Sequence, residues 1–309
     1  MLKWVGAVTA VLSLVFGVQK LAQVISEGNA ADRRITELRD VGLMQQKAGD
    51  YAAAWDSFDA ALMTAESGGM LAKLLGRVDA RTQELRAARE DLAMEWLRNI
   101  RLPQGQTFSE VTGNLLPALD HGAVTAAAAR KADLLAHIGW AYFLRSRDGA
   151  SGLNPQQQYE TALRVDAENA YAHAYLAHWL AWNRRDAEQV KQHFDAALAA
   201  ARDRSFVRTM QLAAFRNQGS AGEREYVAIV GDMLKNNEEV SDDARRAALA
   251  VIVRSCSRPE SSELAALKAT LPSNELATTY ESLLALESQP QPSGNAPTER
   301  DACRAVLAR

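Results

Sequence analysis

From Asp32 onward the apolar residues recur at three- and four-residue spacing, the period of an amphipathic helix. Leu38-x2-Val41-Gly42-x2-Gln45 runs into the corner Ala48-Gly49-Asp50-Tyr51, followed by Ala54-x3-Phe58-x2-Ala61-Leu62. The corner predicts one helix ending at the glycine and a second capped by the aspartate. A related pattern returns in the middle of the chain. Leu135-x2-Ile138-Gly139-x2-Tyr142 precedes Tyr159-x2-Ala162-Leu163, and His173-x2-Leu176-Ala177-x2-Leu180 precedes Phe194-x2-Ala197-Leu198. Gly139 and Ala177 are thirty-eight positions apart, close to the length of a two-helix repeat. A small residue in mid-helix lets its partner helix approach, and the aromatic on that partner fills the space.

Between these hairpins, Ser67-Gly68-Gly69 breaks the chain, and residues 70–100 predict one long helix. Leu71, Val78, Leu85 and Leu92 recur every seven residues. Sustained sevens open the way to a coiled-coil homo-oligomer, but Arg81 and Glu95 interrupt the seam, so the helix is read as packing on its own neighbours. Thr107 and Glu110 have capping-box spacing and predict a helix from Phe108, limited by Pro117 and Gly122. Arg147 to Pro155 predicts a flexible finger. Helices are expected near 205–217, 223–236, 242–255, 260–271 and 274–287, and Gln289 to Pro297 reads as an exposed linker before a short final helix.

The two central hairpins and the Ala54–Leu62 helix resemble the tetratricopeptide repeat (TPR) family. Gln45, where the family has an aromatic, and Leu38, where it has tryptophan, depart from its pattern. The resemblance covers residues 35–66 and 132–201. It implies an all-α, right-handed α-solenoid of helical hairpins whose concave face holds an extended peptide or amphipathic helix of a protein partner. In that register Tyr171, Tyr175, His178 and Trp182 fall on the groove-lining face, and His137 and Trp140 join them from the preceding repeat. An aromatic groove suits an apolar or proline-containing segment. The alternative is that neighbouring chain covers this stripe and makes it core.

The N-terminal segment adds a membrane to the picture. Trp4 to Val18 carries no charge, and the apolar character continues to Ile25. As a helix this would span about 33 Å, enough for a hydrocarbon core. A single-pass transmembrane anchor in the plasma (inner) membrane is the expectation. A cleaved signal peptide and an interfacial stripe of Leu14, Val18, Leu21 and Ile25 compete with it. Lys20, Arg33, Arg34 and Arg39 after the span lean towards a cytoplasmic body, whereas a simple signal anchor would place it outside. The resulting organisation is an anchor at 1–27, a repeat at 32–66, connecting helices at 67–131, two repeats at 132–201, degenerate hairpins at 202–288 and a tail at 289–309.

Composition narrows the chemistry. A net charge of −3 gives no basic face for nucleic acid. Cys256 and Cys303 belong to no CxxC pair. No phosphate-loop, HExxH or GxSxG motif occurs. His137, His173, His178 and His193 lie within 57 positions, yet none of them pairs at helical ligand spacing, so they are read as packing or surface residues rather than a metal site. The expectation is a non-enzyme without a cofactor, a membrane-tethered interaction scaffold. An accessory subunit that positions a membrane enzyme is the alternative, and a metal-dependent hydrolase built on the histidines is a distant third.

Overall fold

The Gly49-Asp50 corner joins helices α1 (29–47) and α2 (Tyr51–Glu66). Gly49 takes φ +78°, where a side chain would be strained. Its N–H donates to Gln46 O and that of Asp50 to Gln45 O, both at 3.0 Å, which together satisfy two of the last carbonyls of α1. The Asp50 carboxylate then accepts from Ala53 N at 3.2 Å. Above the corner Gly42 approaches Phe58 so closely that a Cβ would lie 3.1 Å from the ring. Ala54, Phe58 and Ala61 are fully buried. Burying the Phe58 ring contributes roughly 1.5–3 kcal/mol.

In this computed structural model the described residues are 29–67, 77–102, 104–200, 202–216 and 219–255. The apolar N-terminal run, the Gly68-Gly69 break, Leu71, both cysteines, the expected helices beyond 255 and the proline-rich linker lie outside them. Among the described residues there are eleven helices and no strand. No described helix is long and apolar enough to cross a membrane.

The chain forms two compact units, Met1–Gln158 and Tyr159–Arg309. In the first, α3 (Arg77–Arg98) packs on α2 and on α4 (Phe108–Thr125), which pairs with α5 (Ala128–Arg147). Arg39 to Glu84 and Arg81 to Asp32 tie α3 to α1. The capping box is present: the Thr107 hydroxyl accepts from Glu110 N, and the Glu110 carboxylate accepts from Thr107 N. The expectation that Pro117 and Gly122 limit this helix is corrected, because α4 runs through both to Thr125. Gly122 is instead a packing site. Glu90 of α3 sits so close that a Cβ there would stand 2.5 Å from its carboxyl carbon. Glu90 is only 7% exposed and is paired with Arg130 of α5 at 2.7 Å. A missing side chain on α4 therefore admits an ion pair between its two neighbours.

The 147–155 connection takes a turn like the first. Gly149 has φ +88°, and Ala150 N donates to Arg145 O. It is fastened at its start, where Ser109 N donates to Asp148 Oδ2 at 2.6 Å. The division between the units falls inside α6 (Pro155–Val165).

In the second unit α7 (Ala170–Trp182) packs on α8 (Ala187–Ala199) and α9 (Arg204–Phe215). Then α10 (Gly219–Lys235) packs on α9 and on α11 (Asp242–Ser255). These last three match the expected helices near 205, 223 and 242 to within a few residues. Arg184, φ +51°, closes α7, and Asn237, φ +54°, closes α10, each followed by the same six-residue backward bond: Arg185 N to Leu180 O, and Glu238 N to Met233 O. Arg208, 3% exposed, joins α9 to the end of α10 through Glu238 and Asp232. Its hydrogen bond holds the Glu238 carboxyl below the usual carboxylate range.

Candidate partner-binding site

The six aromatic and histidine positions divide between the units. On α5, His137 is fully buried. Its Nδ1 lies 2.7 Å from Asp133 O and its Nε2 3.3 Å from Arg98 Nη1. A guanidinium can only donate, so Nε2 accepts and the proton sits on Nδ1, as a neutral imidazole. Trp140, also buried, donates Nε1–H to Leu97 O at 3.1 Å and stacks on Phe143. Leu97 is in the last turn of α3, where carbonyls lack helical partners, so the indole supplies a missing donor. Both residues hold α3 to α5.

On α7 the buried side chains cover every face: Tyr171, Ala172, Tyr175, Leu176, His178 and Leu180 among them. A helix apolar all round is enclosed on more than one side. Here α8 takes one side and α9 another. Phe206 of α9 lies 5.3 Å, centroid to centroid, from both Tyr171 and Tyr175. Tyr171 donates its hydroxyl to Asp203 Oδ2 at 3.2 Å, and Asp203 also caps α9 by accepting from Phe206 N. Tyr159 stacks on Tyr175 at 6.0 Å, and burial pushes the Tyr159 phenol well above its ordinary range.

The groove-lining placement of His137, Trp140, Tyr171, Tyr175 and His178 is therefore corrected: all five are buried. The repeat register located the face that α9 occupies. Trp182 alone of the six is open, at 54% exposure, with its ring lying 6.5 Å from that of His178 and nearly parallel to it. One clue was available in the sequence. Ala170–Trp182 carries no charged residue, whereas a helix with one face in solvent usually does.

The histidine cluster also separates. His137 lies in the first unit, and His178 stacks on Trp182. His173 and His193 meet across α7 and α8, with their Nδ1 atoms 2.9 Å apart. His173 Nε2 lies 3.0 Å from Ala167 O. Burial lowers the pKa of both rings, and each is half-buried. Among the described residues no group of three or more His, Cys, Asp or Glu could hold a metal ion. Two features had no local signal in the sequence. Arg208 reaches partners 24 and 30 positions away, and Glu90 reaches Arg130 across 40.

No known protein family, no curated protein and no solved structure matches the chain.

Proposed function

We propose that the chain is a non-enzymatic scaffold: a right-handed α-solenoid of TPR-like hairpins that binds a peptide or amphipathic helix of a protein partner. Its N-terminal helix tethers it to the plasma (inner) membrane. The observation that supports this reading is the repeated helix stop. A left-handed residue followed by the same backward hydrogen bond closes α1, α5, α7 and α10, at Gly49, Gly149, Arg184 and Asn237. Such stops end many helices, and their recurrence here is compatible with stacked hairpins, whose use is to present an extended surface. Of the six stripe residues Trp182 is the one left to meet a partner, a large and rigid amphipathic side chain of the kind that anchors interfaces.

The test is capture of the partner from detergent-solubilised membranes. Trp182→Ala should lower recovery at least tenfold while moving the melting temperature little, since exposed substitutions stay within about 0.5 kcal/mol. Unchanged recovery would remove Trp182 from the interface. For the anchor, the full chain should resist alkaline carbonate extraction, and a chain beginning at Asp32 should not need detergent. Release of the intact full chain by carbonate would rule out the spanning helix.

A further inference from the structure

The His173–His193 contact has the nitrogen separation of a chelate as well as that of a hydrogen bond. An imidazole offers a metal a lone pair only on the nitrogen that lacks a proton. At His173 that choice is already made. Its Nε2, 3.0 Å from the carbonyl of Ala167, must carry the proton, which leaves the lone pair on Nδ1. A backbone carbonyl holding the far nitrogen is the usual support of a metal-ligating histidine. The opposing Nδ1 of His193 is 2.9 Å away. Two nitrogens so spaced, each about 2.0–2.1 Å from one ion, subtend about 90° at it. That is the cis angle of a square-planar or tetragonal ion and is too narrow for tetrahedral zinc.

The setting favours a cation. The Asp166 carboxylate acts on His173 with the sign that favours positive charge there, while burial disfavours the protonated form of both rings and so favours the form that can ligate. Both side chains are part-exposed, so an ion can enter and complete its coordination with water. In the unliganded pair His193 Nδ1–H donates to His173 Nδ1. Binding requires only that the His193 proton move to Nε2 and that the rings turn about their broad terminal torsions until the lone pairs converge.

We propose that His173 and His193 form a two-imidazole chelate for a divalent ion of tetragonal preference, Cu²⁺ binding most tightly. This does not rest on the scaffold reading.

The test is titration of tag-free full-length protein with Cu²⁺ alone, followed by electron paramagnetic resonance. One equivalent should bind with two coordinated nitrogens, and its apparent affinity should exceed that for Zn²⁺ by at least tenfold, as the divalent series orders them. His173→Gln and His193→Gln should each abolish the two-nitrogen signal, and His121→Gln should leave it intact. Binding without protein-nitrogen coupling, or a signal that persists in both variants, would overturn the site and leave a hydrogen-bonded pair. Should the two variants fail to fold, the wild-type spectrum decides: two nitrogens support the chelate, and one or none overturns it. Loss of the membrane or partner activity would not bear on these outcomes.

Discussion

In the first hairpin Gly42 stands seven residues before the left-handed Gly49, and Asp50 caps the second helix. In the α7–α8 hairpin Ala177 stands seven residues before the left-handed Arg184, and Asp186 caps the second helix. Counting from the cap, Ala54, Phe58, Ala61 and Leu62 occupy the positions of Val190, Phe194, Ala197 and Leu198. The left-handed stop and the inward register are the same, although the second corner is one residue longer. The outer faces are not. On α1, Val41, Leu43 and Met44 are exposed, Met44 to 64%, whereas on α7 the corresponding side is filled by aromatics under Phe206. A hairpin's inner face is set by its own two helices, while the fate of its outer face depends on what comes next in the chain.

The largest effects should therefore be shared by the two hairpins. Phe58→Ala and Phe194→Ala each remove a fully buried ring and should cost about 3–5 kcal/mol in chemical denaturation. A markedly smaller loss for Phe194→Ala would break the equivalence. Tyr175→Ala should cost a similar amount, whereas Trp182→Ala, on the open end of the same helix, should not.

These pairs also mark where sequence reasoning reached its limit. The caps at Asp50 and Thr107, the corner at Gly49 and the hairpin register were legible because each depends on residues within about one helical turn. Gly42 was legible because its partner Phe58 follows in the same hairpin. Gly122 looked like a breaker for want of its partner: Glu90 lies on another helix, 32 positions earlier, and nothing local announces it. Tyr171 and Tyr175 share one face of α7, and whether that face meets water is decided by Phe206 on α9. Pro117 stays inside α4, where only the Gly113 carbonyl loses its helical donor.

Overpacking should come next in size. Gly42→Leu drives a branched side chain into the Phe58 ring and should cost about 1–3 kcal/mol. Ala177→Gly in the other hairpin, which creates space instead, should cost about 1 kcal/mol through helix propensity. Equal losses at the two sites would mean that the close approach at Gly42 is not what distinguishes them.

Acid should separate the hairpins further, because only the second carries histidines. Burial, the main cause, lowers the folded pKa of both His173 and His193 below the unfolded value. As pH falls through about 6.5 the unfolded chain binds protons first. Stability present above that pH is then lost down to the folded pKa values, with no further loss from this pair below them. The unfolding midpoint of the second unit should fall in that window in metal-free buffer, and His173→Gln with His193→Gln should flatten the slope. An unchanged slope in the double variant would assign the acid response to other groups.

The smallest difference lies at the corners themselves, and there the sign should reverse. Gly49 and Arg184 share a left-handed backbone, at φ +78° and +51°. A Cβ on Gly49 would meet no atom within 4 Å, so strain alone opposes Gly49→Ala. A non-glycine residue pays about 1–2 kcal/mol in this conformation, against which alanine recovers about 0.4–1 kcal/mol by restricting the unfolded chain. A net loss of about 1 kcal/mol is expected. At Arg184 the strain is already present and the residue is exposed. Arg184→Gly should relieve it, less the added freedom of the unfolded chain, for a gain of about 0.5 kcal/mol. Paired denaturation curves at one pH resolve the two signs. A loss at Arg184→Gly would mean that the arginine side chain itself supports the corner, making the two hairpins alike in backbone but not in what holds it.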